Sequence, residues 1–201
     1  SETYGGSLYW NRKSGTCYAG YNNATKSCDF TSTGLTNEAK LMIGDAKWYL
    51  GGTSAWDTSS NGLASHWYKY ERGTTVYSGR STNWTGKVGL MYPSDYGYAT
   101  SGGSSKNRAS CMAKELYNWG DSSSYYSDCK TNDWLLNTST IQWTMSTSAA
   151  YSYHVFIVFN TGYVSYYSAY DTHAGRPVVH LKSTINITGG TGSSTNPFIL
   201  G

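Results

Sequence analysis

Apolar positions in this chain come in short bursts separated by Gly, Ser, Asn and Thr, a rhythm of short elements and long loops. The clearest helical spacing lies between Leu35 and Leu50. Leu41, Met42, Ala46 and Tyr49 recur on one face, Thr36 or Asn37 stands at the cap, Glu38 falls in the first turn, and Gly51-Gly52 ends the run. Ala109 to Trp119 predicts a second helix, capped by Ser110, with Lys114-Glu115 exposed. His66-Trp67-Tyr68-Lys69-Tyr70-Glu71 alternates as a strand does, and Lys87 to Tyr92 predicts another strand, halted by Pro93. Asp133 to Leu136 and Gln142 to Met145 read as short core segments carrying Trp134 and Trp143.

Strands dominate the last third. His154 to Phe159 and Tyr163 to Ser168 are β-rich runs joined by Asn160-Thr161-Gly162, a hairpin signal. Pro177 to Leu181 predicts a strand containing His180. Ile185 to Ile187 and Phe198 to Leu200 predict a final hairpin around Gly189 to Asn196. Ser1 to Phe30 is rich in Gly and Tyr and reads as a hairpin or coil, the body of an N-terminal extension over residues 1–34. Two helices early and many short strands later predict a single α+β domain spanning residues 1–201, without an internal repeat or a dividing linker.

Composition narrows the class. Only 13% of residues are charged, against about 25% in ordinary soluble domains, so Ser, Thr, Asn and Gly must carry solubility. The 20 Tyr and 8 Trp exclude a disordered chain. The net charge is +3 with the basic residues scattered singly, which is no footprint for nucleic acid. No apolar run approaches the roughly 18 residues of a membrane span, and no signal peptide is read. The four cysteines form two local pairs, which predict disulfides Cys17–Cys28 and Cys111–Cys129. Disulfides point to a mature chain outside the cell whose export segment has been removed.

Candidates for catalysis are sparse. His66, His154, His173 and His180 form no metal-spaced pair; His180 reads as a strand residue, and His154 and His173 as contact residues. No G-x-S-x-G elbow occurs, and Ser101-Gly102-Gly103 and Gly189-Gly190-Thr191-Gly192 lack the helix and Lys-Ser/Thr of a phosphate cradle. The carboxylates show no glycosidase spacing. Asp57, Asp95, Asp121, Asp128 and Asp133 lie in loop-like regions and could supply oxygens to a structural calcium, but no twelve-residue calcium loop is present. No metal site and no cofactor is therefore expected. Asn23, Asn83, Asn137 and Asn186 match N-x-Ser/Thr, triplets that chance supplies in so Ser/Thr-rich a chain.

The strongest signal is the vocabulary of Ser146 to Gly175. The stretch is crowded with Tyr and Ser, with Asn, Asp, Ala, Thr and His, and contains no Lys, Glu, Gln, Trp or Met, all used elsewhere in the chain. Tyr supplies large amphipathic contact area with few rotors to freeze, and Ser and Asn supply adaptable hydrogen bonds, the composition of an antibody-like contact surface.

Together with Lys87-Val88-Gly89-Leu90-Met91-Tyr92-Pro93-Ser94-Asp95-Tyr96-Gly97-Tyr98, Asp133-Trp134-Leu135-Leu136, Gln142-Trp143-Thr144, Gly162-Tyr163-Val164 and Gly175-Arg176-Pro177-Val178-Val179, this stretch resembles the C-type-lectin-fold variable proteins of diversity-generating retroelements, of the bacterial surface and pilin-like type. The ending also resembles the related formylglycine-generating-enzyme fold. The resemblance covers Leu35 to the C-terminus and implies a C-type lectin fold with two helices, short antiparallel strands and long loops. In such systems a reverse transcriptase mutates template adenines, so AAC-type Asn codons become Tyr, Ser, Asp, Ala, Thr, His, Ile, Phe, Gly or Val. They never become Lys, Glu, Gln, Trp or Met, all of which are absent from the stretch.

The resemblance further implies a variable, ligand-binding region over residues 146–182. Its fixed scaffold would be Val155, Phe156, Val158, Gly162, Val164, Ala169, Gly175, Arg176 and Pro177. Its displayed set would be Ala150, Tyr151, Tyr153, His154, Ile157, Phe159, Asn160, Tyr163, Ser165, Tyr166, Tyr167, Tyr170, Asp171 and His173. Ile157 and Phe159 share one strand face, with Phe156 and Val158 on the other, and adjacent Tyr166 and Tyr167 point to opposite faces. The expected function is recognition rather than chemistry. The ligand would be a protein or glycan on another cell or phage, bound at a cell surface or pilus whose anchoring segment lies elsewhere. No Glu-Pro-Asn or Gln-Pro-Asp triplet supports calcium-dependent sugar binding. The alternatives are a formylglycine-generating-type oxidase, which needs a reactive cysteine pair in its C-terminal part, and a phage tail receptor-binding domain.

Overall fold

The computed structural model describes residues 35–54, 62–120, 126–169, 171–193 and 195–201, and the backbone of Leu8 and Tyr9. The architecture is α+β. The described residues form eleven strands, five short α-helices and a 3-10 helix. Of these, Leu8–Tyr9 (β1), Gln142–Thr147 (β5), His154–Val158 (β6), Val164–Ser168 (β7) and Thr172–Gly175 (β8) make one sheet in the order β1-β8-β5-β6-β7. Its ladders are antiparallel except β5–β8, which is parallel.

Three two-stranded pairs surround this sheet. Ala46–Tyr49 (β2) pairs with Asn83–Gly86 (β3), Val88–Leu90 (β4) with Pro177–Val179 (β9), and Ile187–Gly189 (β10) with Ile199–Leu200 (β11). The last is the expected C-terminal hairpin, its strands shifted by one or two residues. Among the described residues no helix is long and apolar enough to cross a membrane.

Two expected elements take the other secondary structure. The helix expected over Leu35–Leu50 is only Asn37–Met42 (α1), capped by Thr36, whose Oγ1 accepts from the Ala39 N–H at 3.2 Å. Ile43 turns extended and is buried, and Trp48 in β2 is buried opposite Trp84 of β3. Burial of a large aromatic against a strand partner outweighs the helical spacing of Ala46 and Tyr49. Conversely, the strand expected at His66–Glu71 is a helix, Ala64–Arg72 (α2). Its buried residues Ala64, Trp67 and Glu71 are three and four apart, a helical stripe hidden beneath an aromatic alternation.

Pro93 does halt the β4 segment, because it opens Pro93–Ala99 (α3), where Asp95 accepts from the Tyr92 N–H at 2.8 Å. The helix expected over Ala109–Trp119 is split. Arg108–Met112 (α4) is capped by Asn107 rather than Ser110, and Leu116–Gly120 forms the 3-10 helix. Asp133–Leu136 is a turn, and Trp134 is 73% exposed rather than core. Trp143 is buried as expected. His180 lies one residue past β9, exposed, with its ring 5.0 Å from that of Trp48.

Cys111 of α4 is joined to Cys129 of Ser127–Thr131 (α5), the expected pairing, with a Cα–Cα distance of 5.5 Å. Closing a loop of this size contributes about 3 kcal/mol in the chain-entropy account. Cys17 and Cys28 lie outside the described residues, as does most of the N-terminal extension.

The main sheet is covered on both faces. On one, Phe156, Val158 and Val164 pack with Ala64 and Trp67 of α2, Tyr96 of α3, Leu116, Trp119 and the disulfide. On the other, Trp143, Val155 and Ile157 form a second cluster with Phe159 and Ala169 against it. A strand buried on both faces reads as a continuous apolar run, which is why His154–Val158 is Val-Phe-Ile-Val after its first residue.

A candidate ligand-binding surface on the β6–β7 hairpin

The register His154↔Ser168, Phe156↔Tyr166 and Val158↔Val164 places these side chains on the α2/α3 face, with Val155↔Tyr167 and Ile157↔Ser165 on the other. Tyr166 and Tyr167 therefore point to opposite faces, as alternation requires. Gly162 makes the turn with φ +98°, and Tyr96 ties it down by donating to its carbonyl at 2.8 Å.

The biased residues gather into two aromatic patches. In the first, the His154 ring lies 4.4 Å from Tyr153, 5.0 Å from Tyr151 and 4.5 Å from Tyr166. Tyr151 and Tyr153 are exposed, while His154 and Tyr166 are half-buried. The loop carrying them is held on several sides. Ser148 Oγ accepts from the N–H groups of Ala150 and Tyr151 at 3.1 and 3.2 Å, Ala149 donates to the Thr53 carbonyl at 3.0 Å, and the Arg80 guanidinium donates to the Ser152 carbonyl.

In the second patch, Phe159 and Tyr163 stack at 4.2 Å and 10°. Tyr167 stands edge-on to Phe159 at 6.3 Å and to His173 at 4.8 Å, and His173 rests on Trp143 at 4.6 Å. Ser165, Asn160 and Asp171 are half-buried, and Ala150 is exposed. Tyr170 lies outside the described residues.

One member of the expected display does not belong to it. Ile157 is fully buried in the Trp143–Val155 cluster and is a core residue. The one-sided pattern assumed for β6 fails because the sheet has no bare face at that position. The expected scaffold residues Val155, Phe156, Val158, Gly162 and Val164 are all buried.

The biased stretch itself is nearly free of charge, although Arg80 reaches the Ser152 carbonyl and the Lys130 side chain lies against Gly162. Asp171 is the one carboxylate between Ser146 and Gly175, and no Lys or Arg occurs there. Burial holds His154 below the usual histidine range; it does the same for His173, partly offset by Asp171. Burial also raises the phenols of Tyr163 and Tyr166, so all four side chains are neutral near pH 7. Neutral imidazoles and phenols each donate and accept hydrogen bonds.

Other polar groups serve the frame. Arg176 Nε donates to Gln142 Oε1 at 3.1 Å and Gln142 Nε2 to the Leu135 carbonyl at 3.0 Å, which fixes Gly175-Arg176-Pro177 beside β5. Asp133 is buried, and burial pushes its carboxyl up to about 7, against the pull of its backbone hydrogen bonds and of Arg176. The loop aspartates expected as oxygen donors do not converge. Asp95 caps α3, Asp128 Oδ2 accepts from the Ser105 and Lys106 N–H groups, and Asp57 and Asp121 lie outside the described residues. Among the described residues no group of three His, Cys, Asp or Glu side chains is placed to hold a metal ion.

Sequence reasoning missed Tyr117, whose ring is 5.8 Å from Tyr163. The signal available was Leu116 and Trp119, apolar residues three apart that anchor a turn and leave Tyr117 outside it. No family model matches this chain, and no curated protein or solved structure matches it.

Proposed function

We propose that this chain is an extracellular ligand-binding domain of C-type lectin fold, displayed on a cell surface or pilus, whose contact surface is diversified by a retroelement. The observation that carries the reading is the convergence of the biased residues into two neutral aromatic patches at the surface, over a frame of buried aliphatic and aromatic side chains. The α+β architecture and the anchored Gly175-Arg176-Pro177 are compatible with the fold. Aromatic anchors would supply most of the binding energy and polar neighbours the orientation. The partner is a protein or glycan on another cell or on a phage. A mostly uncharged surface recognises by shape, stacking and hydrogen bonding rather than by electrostatic steering.

Replacing Tyr163, Tyr166 and Tyr170 together with Ala tests the site. Once a ligand is found by screening cell and phage surfaces, the triple variant is expected to lose binding at least roughly a hundredfold, since tyrosines at a contact centre are frequent hot spots. A folded triple variant that binds as the parent does would refute the assignment.

A further inference from the structure

We infer that the C-terminal hairpin is a self-association element, which pairs the β10 strands of two copies of this chain antiparallel about a twofold axis near Ile187. The inference uses none of the residues of the candidate ligand surface and stands independently of the binding reading.

The hairpin is apolar and uncovered. Ile187 and Ile199 are each 60% exposed and Phe198 is 53% exposed. The register sets Ile187 opposite Leu200, with Phe198 on that same face, while Ile199 lies over Gly189 on the other. No side chain of either strand belongs to the three core clusters, and the two strands pack mainly on each other. A two-stranded ribbon of this kind is marginal alone in water and gains stability from a further strand. Its tip is nevertheless fixed. Gly190 and Gly192 hold φ +85° and +78°, and a Cβ on Gly190 would collide with the Pro197 carbonyl oxygen. The Thr191 and Gly192 N–H groups both donate to the Asn196 carbonyl, at 3.0 and 3.1 Å.

The better template for pairing is the outer edge of β10. Each strand of the ribbon has a single partner among the described residues, so both outer edges are open. Asn186 and Gly201 exchange both backbone hydrogen bonds, at 2.9 and 3.1 Å, so the N–H and C=O of the next residue, Ile187, point away from β11. β11 is two residues long and closely follows Pro197, whereas β10 lies in Thr184-Ile185-Asn186-Ile187-Thr188, mostly β-branched and without proline.

A second copy of this chain fits that edge. No charged residue occurs between Ser183 and Gly201, although the chain carries a net charge of +3. Identical charged surfaces facing each other across a twofold axis bring like charges together, which is destabilising. An uncharged edge escapes that repulsion. Two identical strands laid antiparallel also exchange the same bonds in both directions, the self-complementarity that a twofold interface needs. The product is a four-stranded sheet in which Ile187 meets its own copy.

Sedimentation equilibrium of the whole chain, from about 1 to about 200 µM, tests the pairing. The mass is expected to rise towards twice 22.1 kDa, with a Kd in the micromolar range, as for an interface of small area. Ile187→Lys sets like charges across the axis and should weaken association roughly a hundredfold, and Ile187→Glu likewise. Ile187 is exposed in the single chain, so neither replacement disturbs the core. Mixing the two variants should restore a dimer, because Lys then faces Glu across the axis. Trp134→Lys, exposed on the Asp133–Leu136 turn, should associate as the parent does. A parent that is monomeric at every concentration, or that dimerises unchanged in Ile187→Lys, overturns the inference. So does a mixture of the Lys and Glu variants that stays monomeric.

Discussion

Ile157→Ala is expected to lower the unfolding free energy by about 2–5 kcal/mol, as large-to-small changes in packed cores do. Tyr153→Ala, on the same strand approach but exposed, is expected to cost about 0.5 kcal/mol or less. The difference follows from position alone. Ile157 is fully buried with Trp143 and Val155, and its strand neighbours in the ladder are Trp143 on β5 and Ser165 on β7. Removing its branched side chain leaves a void lined by an indole and a valine, and a strand paired on both sides cannot collapse to fill it. Urea unfolding followed by Trp fluorescence should show a lower midpoint with an unchanged slope. An Ile157→Ala variant as stable as Tyr153→Ala would mean that position 157 faces solvent and belongs to the display.

The second large effect is in pH. Stability is expected to fall as pH rises from about 5 to about 8, with a slope approaching about 1.4 kcal/mol per pH unit for each group that holds a proton in the fold and releases it on unfolding. Glu71, fully buried on α2, is the main one. Burial pushes its carboxyl up to about 8 from 4.5, although Ser94 donates to it through its N–H at 2.8 Å and its hydroxyl at 2.5 Å, and Arg72 donates at 3.0 Å. Between the two values the folded chain keeps the proton and the unfolded chain has lost it, so each rise in pH favours unfolding. The contribution is complete below the unfolded value and is lost as pH climbs to the folded one.

Asp133, raised by burial to about 7, acts in the same direction. His154 and His173, both lowered, act oppositely below their ordinary range near 6.5, because there the unfolded chain binds the extra protons. The window from about 7 to 8 therefore reports mainly on the carboxyls. Urea midpoints across this window should decline in the parent and decline less steeply in Glu71→Gln. A flat profile in the parent, or an identical slope in Glu71→Gln, would refute the buried protonated carboxyl.

The parts of the molecule legible in the sequence are those where local chemistry and tertiary packing agree. The β6–β7 hairpin is one, since Asn160-Thr161-Gly162 needs a positive φ at its glycine and the runs beside it have no helical alternative. The Cys111–Cys129 staple is another. Elements were misread where a short window satisfies two periods. Ala46–Tyr49 fits a helix until Trp48 finds its slot beside Tyr92 and Met145, and His66–Glu71 looks alternating although the buried positions are Trp67 and Glu71. Nothing local marks β6 as buried on both faces, because the cover comes from Trp143 of β5 and from α2 and α3. Alternation alone therefore puts Ile157 on the surface. Tyr117 was missed because a contact surface is assembled by packing, and the composition of one stretch says nothing of the neighbour that packs beside it.

The retroelement reading meets its most direct test in the DNA beside the gene. Sequencing downstream should find a near-copy of the codons for Ser146 to Lys182, with adenines at the codons of Tyr151, Tyr153, Tyr163, Tyr166 and Tyr167, next to a reverse transcriptase gene. The codons of Val155, Ile157 and Val158 should show no such substitution. A locus with neither the near-copy nor the reverse transcriptase would contradict diversification of this surface.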